Sequence, residues 1–281
     1  MLMLAVVVLC TGTALAAAMV LSWPAFVFLC VCVGQAAASG KFHCPRLRTV
    51  PFVRTLMGAR FLGAPPTHHP GRRHIFACEP HGLACCHLSL FANPGRELEL
   101  QRLGRIRVIA SSLAFAVPLV QLVYGLAGIT DCSRERMEKL LLEDYDLALS
   151  PSGVPGKEHA VQCTDTPGGD ISVLRRCRIP GFVRLAARHG CVLVPVLSPD
   201  ENVIYRKAPT GTWWPFVPVW GRFFFWPLQQ HVDVICGEAI DCCDYDANDE
   251  ASLLQLADRF YTELSALAPA GRKVVLCSAQ D

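Results

Sequence analysis

A histidine that directly follows a short apolar run is the residue in this chain best suited to chemistry. The segment 75–87 reads Ile-Phe-Ala-Cys-Glu-Pro-His-Gly-Leu-Ala-Cys-Cys-His. Its first four residues are typical of a buried strand, and Pro80 ends that pattern before His81 and the flexible Gly82. An imidazole transfers protons near neutral pH, and a carboxylate such as Glu79 can hold it in one tautomer. The spacing predicts a general base at a strand end; a purely structural histidine is the alternative.

Composition limits the classes of protein and of partner. The 281 residues suffice either for one large α/β domain or for a domain plus a membrane segment, and they can bury a substantial core. The mean hydropathy of +0.33 is too high for an ordinary soluble enzyme. The net charge of +2 gives no bulk attraction to nucleic acid, so no nucleic-acid partner is expected. The 15 cysteines lie in apolar runs or side by side, which predicts reduced thiols facing the cytosol and no disulfide framework.

The first 40 residues predict a membrane segment. Residues 1–40 contain no charged side chain, and the apolar run 3–34 is longer than the roughly 20 residues that one crossing needs. A cleaved signal peptide would begin with basic residues and have a shorter apolar core. The pair Trp23-Pro24 permits either one kinked crossing or a hairpin that returns to the same side.

A basic linker follows at 41–73. It carries Lys41, Arg46, Arg48, Arg54, Arg60, Arg72 and Arg73, and no acidic residue occurs before Glu79. Cations beside a membrane segment place the following domain, 74–281, on the cytosolic side and allow contact with anionic headgroups.

From residue 74 onward the pattern is that of an α/β domain. Short apolar runs predict strands at 107–111, 147–150, 191–197 and 232–236, and helical periodicity predicts helices at 113–126, 133–143, 181–189 and 250–267. Their alternation predicts a sheet with helices on its faces.

A cluster of arginines occupies the stretch 174–190 without any acid. Arg184 and Arg188 are four residues apart on the predicted helix and share a face. Together with the free N–H groups of the helix start they are suited to a phosphorylated ligand such as coenzyme A. A solvated basic face is the alternative.

Two further stretches have no single interpretation. Residues 212–227 contain four of the five tryptophans among prolines, which suits a loop at the membrane–water boundary or the wall of an acyl-chain groove, with core packing as the alternative. Residues 150–158 follow a predicted strand and are rich in turn formers. A surface loop is the expectation there, although Glu158 can approach a catalytic histidine.

Several common motifs are missing from the sequence. It contains no Gly-x-Ser-x-Gly elbow, no phosphate-binding Gly-x4-Gly-Lys-Ser/Thr loop and no Gly-x-Gly-x-x-Gly fingerprint. The cysteines and histidines of 78–87 do not have the spacing of paired zinc ligands. No metal site and no bound cofactor are predicted.

Taken together, these stretches resemble the type 2 diacylglycerol acyltransferase family, which also contains monoacylglycerol and wax-ester acyltransferases. The family's His-Pro-His-Gly block, Glu-Pro-His in plant-type members, is matched by Glu79-Pro80-His81-Gly82. Its Arg-x-Gly-Phe-Val-x-Leu-Ala-x-Arg-His-Gly block, with Leu-Val-Pro-Val and Glu-Asn behind it, resembles 178–190, 193–196 and 201–202. A Val-x-Gly-Glu-x-Ile segment resembles 234–240. The similarity runs from about residue 74 to 267 in the expected order.

The sequence departs from the family pattern at the acidic residue. The family's Gly-Gly-x-x-Glu turn appears only as Ser152-Gly153-Val154, with Glu158 displaced. The acidic partner of His81 therefore stays open between Glu79 and Glu158.

The resemblance implies a glycerolipid-acyltransferase-like α/β fold, in which a mixed sheet is flanked by helices, with an N-terminal membrane-embedded helical segment or hairpin. It implies an enzyme that transfers an acyl group from acyl-CoA, a co-substrate, to diacylglycerol or another lipid alcohol. It also implies the endoplasmic reticulum membrane as the location, with the lipid droplet surface as a second one. A phospholipid-making acyltransferase and a non-catalytic, membrane-anchored lipid-binding protein are the alternatives.

The resemblance also implies roles for individual residues. His81 would act as the general base, Glu79 or Glu158 would orient its ring, and backbone N–H groups near Gly82 would stabilise the oxyanion. The residues expected to hold the coenzyme are Arg178, Arg184, Arg188 and His189.

Overall fold

The computed structural model describes residues 58–67, 69–92, 105–116, 121, 124–125, 127–163, 165–175, 177–207, 219–220, 228 and 231–278. The predicted membrane segment 1–40, the first part of the basic linker and most of the Trp-rich stretch 212–227 lie outside these residues. Within the described part of the chain, no helix is both long enough and apolar enough to cross a bilayer. The membrane segment therefore stays a prediction.

A mixed sheet forms the centre of the domain, and eight of the described strands belong to it. The strands of the described residues are β1 Ala59–Phe61, β2 His74–Glu79, β3 Ile106–Ala110, β4 Ile129–Asp131, β5 Asp146–Leu149, β6 Ile171–Arg175, β7 Val192–Leu197, β8 Arg206–Lys207, β9 Val219–Trp220, β10 Val232–Cys236, β11 Ile240–Asp241 and β12 Val274–Ser278. The strand order in the central sheet is β1-β10-β7-β2-β5-β3-β4, with β11 paired to β7 as well. The run from β4 to β7 is parallel, and β10 is antiparallel to β7.

Helices cover both faces of this sheet, which confirms the predicted mixed α/β fold. The α-helices among the described residues are α1 Ser89–Ala92, α2 Arg134–Leu142, α3 Gly153–Gln162, α4 Gly181–Arg188 and α5 Glu250–Ala266, and short 3₁₀ helices span Cys86–Leu88, Ser112–Ala116 and Glu201–Val203. Helix α5, the longest of these, begins at an Asp249 side chain that accepts hydrogen bonds from the N–H groups of Ala251 and Ser252.

The four predicted strands and three of the four predicted helices are confirmed to within one or two residues. The helix predicted at 113–126 is confirmed in part: it begins as the 3₁₀ helix Ser112–Ala116, residues 121 and 124–125 are α-helical, and the rest of it up to 126 lies outside the described residues.

The surface loop predicted at 150–158 is wrong, because α3 begins at Gly153. Pro155 is compatible with this helix because it stands in the first turn, where a backbone N–H has no intrahelical acceptor.

The core lies on both sides of β2, because alternate residues of a strand point to opposite faces. Ile75 belongs to the cluster beneath α4 and α5, where the rings of Phe182 and Phe260 meet edge to face with centroids 5.0 Å apart. Phe76 belongs to the cluster on the other face, where its ring stacks on that of Phe91 at 5.0 Å. All six residues of β2 are buried, as expected for a parallel strand covered on both faces.

Replacing Phe260 by Ala should lower the free energy of unfolding by about 3–5 kcal/mol, because the fully buried ring leaves a cavity between α4 and α5. Denaturant unfolding of the purified protein measures this. Leu142→Ala is the matched control, since Leu142 is 76% exposed and should change stability by less than about 0.5 kcal/mol. An equal loss in both variants would contradict the packing described.

Candidate active site

The carboxyl ends of three adjacent parallel strands bring the candidate residues together. β2 lies between β5 and β7 and is parallel to both, so the three strands end at the same edge of the sheet. Glu79 ends β2, Ser152 follows β5, and Glu201 follows β7. This convergence explains how residues far apart in the sequence share one site.

Glu79 is buried at the end of β2 and interacts with the turn after β5. Its Oε1 accepts a hydrogen bond from the N–H of Ser152 at 2.7 Å, and its Oε2 accepts one from the hydroxyl of Ser152 at 2.9 Å. Burial raises the pKa of the Glu79 carboxyl to about 8, although the hydrogen bonds from Ser152 and the N–H of His81 oppose the rise. At neutral pH this carboxyl is mostly protonated.

His81 is half-buried and is held by a backbone group. Its Nδ1 lies 2.8 Å from the carbonyl oxygen of Gly82, a pure acceptor, so Nδ1 carries the proton and donates it. Nε2 is then the unprotonated nitrogen, and no residue in the described part of the chain forms a hydrogen bond with it. Burial lowers the pKa of the His81 imidazole to about 4, which keeps the ring neutral at physiological pH.

Two glycines allow the site to close around His81. A Cβ on Gly82, whose φ is +60°, would lie 2.6 Å from Cγ and 2.7 Å from the carbonyl oxygen of Glu201. A Cβ on Gly156 of α3 would lie 2.1 Å from Oγ of Ser152 and 2.8 Å from Cβ of His81. Since real side chains do not approach so closely, both positions require glycine for the observed packing.

Helix α3 carries the cation Lys157 and the acid Glu158, and the two side chains differ in how deeply they are buried. Lys157 follows Gly156 and is half-buried; burial lowers the pKa of its amine, and its charge contributes to lowering the pKa of His81. Glu158 is exposed, and Nδ1 of His81 is already bonded to the carbonyl of Gly82. The structure thus places a backbone carbonyl, instead of either predicted acid, on the ring.

Glu201 is a site residue to which the sequence analysis gave no role. Its buried carboxylate accepts hydrogen bonds from the N–H groups of Cys86 and His87, and Oε2 lies 2.9 Å from Nδ1 of His87. The only signal in the sequence was the Glu-Asn pair of the family resemblance. Neighbouring Asn202 donates a hydrogen bond from its Nδ2 to the carboxylate of Asp165 at 2.8 Å.

The arginine cluster does not form one patch beside His81. Helix α4 leads into β7, so its first turn lies near the edge that carries His81, and its last turn lies at the opposite edge. Arg178 and Arg184 are exposed on the first part of this segment. Arg188 and His189 come at its end, and Arg188 pairs with Glu138 at 3.0 Å.

The position of His189 follows from the strand register. His74 lies opposite Val192, and Glu79 lies opposite Leu197. His189 precedes β7 and His81 follows β2, so the six-residue strands, roughly 20 Å long, separate them. Coenzyme binding by His189 and Arg188 therefore stays a prediction, and it requires a ligand that reaches the far edge.

The thiols near the site are neutral. Burial raises the pKa of Cys78, Cys85 and Cys86 well above the usual range, so these groups remain protonated thiols. Within the described ranges, no group of three or more histidine, cysteine or acidic side chains is arranged to hold a metal ion.

Most of this chain matches the model of a known protein family. Residues 66–264 match the family model described as Diacylglycerol acyltransferase. Diacylglycerol O-acyltransferase 2 of Xenopus tropicalis is 29% identical over 174 residues, which cover 59% of this chain and 45% of that protein. The 2-acylglycerol O-acyltransferase 3 of Homo sapiens is 31% identical over 150 residues, covering 51% of this chain and 42% of that protein.

The matched regions amount to less than half the length of these curated relatives. Among solved structures, the 1-acyl-sn-glycerophosphate acyltransferase PlsC of Thermotoga maritima covers 94% of this chain and 90% of its own at 14% identity, with a TM-score of 0.43. That score is too low to support an argument. The family match spans the whole edge of the sheet with Glu79, His81, Ser152 and Glu201, and the chain belongs to the diacylglycerol acyltransferase family.

Proposed function

We propose that this protein transfers the acyl group of acyl-CoA to the hydroxyl of diacylglycerol, forming triacylglycerol and free coenzyme A. Nε2 of His81 takes the proton of the acceptor hydroxyl while its oxygen attacks the thioester carbonyl carbon. The tetrahedral intermediate then expels the thiolate of coenzyme A, which takes the proton back from the imidazole. Family membership supports the class of reaction, and the strand-end geometry supports His81 as the base.

One observation carries the mechanism: the bond between Nδ1 of His81 and the carbonyl of Gly82, at 2.8 Å. This bond selects the tautomer whose Nε2 accepts a proton. The lowered pKa, about 4, keeps that nitrogen unprotonated at neutral pH.

The charged groups near this edge suit an anionic acyl donor. Lys157 is half-buried close to His81, and no acid in the described part of the chain pairs with it. Arg178 and Arg184 are exposed on the segment that approaches the same edge. We assign these cations to the phosphates of coenzyme A, and the backbone N–H groups near Gly82 to the oxyanion.

The lipid substrates are supplied from a membrane in this proposal. The apolar segment 1–40 and the basic linker 41–73 support anchoring with the catalytic domain in the cytosol. The endoplasmic reticulum membrane and the lipid droplet surface are the proposed locations, since neutral lipid is the product.

His81→Ala should lower acyl-CoA-dependent formation of neutral lipid in isolated membranes by about 100- to 10,000-fold, because it removes the general base. Product analysis with labelled acyl-CoA and a panel of acceptors measures this. His231→Ala is the matched control, since His231 is exposed and makes no part of the site. Turnover by His81→Ala at the wild-type rate would contradict the mechanism.

The same product analysis separates the alternatives. Label in polar instead of neutral lipid would identify a phospholipid-making acyltransferase. Binding of acyl-CoA without any product would identify a non-catalytic lipid-binding protein.

Replacing Glu79 or Glu158 by Ala should change the transfer activity to different extents. Glu79→Ala should lower transfer activity by about 10-fold or more, because it leaves the N–H and hydroxyl of Ser152 buried without an acceptor and loosens the turn beside His81. Glu158→Ala should have a much smaller effect, since Glu158 is exposed. Initial rates of both variants in the same membranes check this, and a larger loss in Glu158→Ala would assign the supporting role to Glu158.

A further inference from the structure

The carboxylate of Glu201 is buried where the chain leaves β7, and it faces the segment that follows His81. It accepts a hydrogen bond from the N–H of Cys86, and a second at 3.1 Å from the N–H of His87. The hydroxyl of Ser198 donates a third at 3.3 Å. Glu201 thus binds the free N–H groups at the start of the 3₁₀ helix Cys86–Leu88, which have no acceptor within that helix.

The segment that carries Glu201 is itself fixed to the sheet. The N–H of Ser198 donates to the carbonyl of Glu79 at 2.8 Å, which continues the pairing of β2 with β7. Arg272 donates to the carboxylate of Asp200 and to the carbonyl of Pro199, both at 2.9 Å. Glu201 therefore provides a rigid support for whatever packs on it.

Gly82 packs directly on Glu201. Its backbone has φ of +60°, and the position of a Cβ would fall 2.6 Å from Cγ of Glu201. The carbonyl of this same Gly82 accepts the hydrogen bond from Nδ1 of His81. A continuous set of contacts thus runs from the Glu201 carboxylate through the backbone of 82–87 to the ring of His81.

On the basis of the proposed function, we propose that Glu201 is the positioning residue of the catalytic histidine. By holding the N–H groups of Cys86 and His87 on one side and the backbone of Gly82 on the other, it fixes the carbonyl that sets the His81 tautomer. It acts without contacting substrate, since its side chain is buried. The acid that supports the base is therefore remote in sequence and works through the backbone.

Glu201→Gln tests this, because the amide keeps the shape but offers one oxygen acceptor where the carboxylate offers two. We expect kcat for acyl transfer to fall about 10- to 100-fold with an unchanged KM for acyl-CoA, since a small misplacement of a catalytic group costs rate. Hydrogen–deuterium exchange of the peptide covering 82–88, measured without substrate, should accelerate at least about 10-fold, because a backbone donor loses its acceptor.

Asp146→Asn is the matched control for a buried carboxylate. Asp146 accepts a hydrogen bond from the N–H of His74 at 2.6 Å, at the other end of β2. This variant should lose stability while kcat per folded molecule and exchange over 82–88 stay near the wild-type values. Equal kcat losses in both variants would show a merely structural effect and overturn the assignment, as would a raised KM with unchanged kcat in Glu201→Gln.

A second pair of variants tests the contact between Gly82 and Glu201 by changing the glycine. Gly82→Ala would drive a methyl group against Glu201, whereas Gly71→Ala has a similar φ of +73° and nothing within 4 Å. Only Gly82→Ala should lower kcat; equal activities would contradict the contact. If the wild-type protein transfers no acyl group at all, the proposed function fails, and exchange over 82–88 in Glu201→Gln still decides whether Glu201 holds this segment.

Discussion

The role that we propose for His81 depends on one hydrogen bond, which runs from its Nδ1 to the carbonyl oxygen of Gly82. A carbonyl is a fixed acceptor that never titrates, so it selects one tautomer at every pH at which the ring is neutral. A carboxylate in that place would favour the charged imidazolium and raise the pKa of the ring. The backbone partner instead leaves burial as the dominant influence, which lowers the pKa of His81 to about 4. The ring that we propose as the base is therefore unprotonated at neutral pH.

The parallel strands make that bond possible. Because β5, β2 and β7 end at one edge, the segments that follow them pack against each other. The segments after β5 and β7 contact the residues on either side of His81. Ser152 bonds to Glu79 on one side, and Glu201 holds the backbone beyond Gly82 on the other. Two acids thus act by hydrogen bonds to the chain around the histidine, which is a different arrangement from an acid bonded to the imidazole itself.

Much of this could be predicted from the sequence, and the limits have physical causes. The buried strands were predictable because their continuous apolar runs are typical of parallel sheets. The proline that follows one such run identified His81 as a residue at the end of a strand. The hydrogen-bond partner of the His81 ring was not predictable, because it is a backbone carbonyl and every residue has one. Helix α3 was missed because its glycine and proline also favour turns. Arg178 and His189 belong to one sequence motif, but they lie before and after helix α4. This helix has eight residues and is about 12 Å long, so the two side chains lie toward opposite edges of the sheet.

Nitrogen NMR of the protein with ¹⁵N-labelled histidine tests the state of the His81 ring most directly, with the His81 signals assigned through the His81→Gln variant. We expect that Nδ1 carries the proton and Nε2 does not, and that the ring stays neutral as the pH falls to about 5, because its pKa is about 4. A proton on Nε2 at neutral pH, or protonation of the ring with a midpoint near the ordinary value of about 6.5, would contradict it.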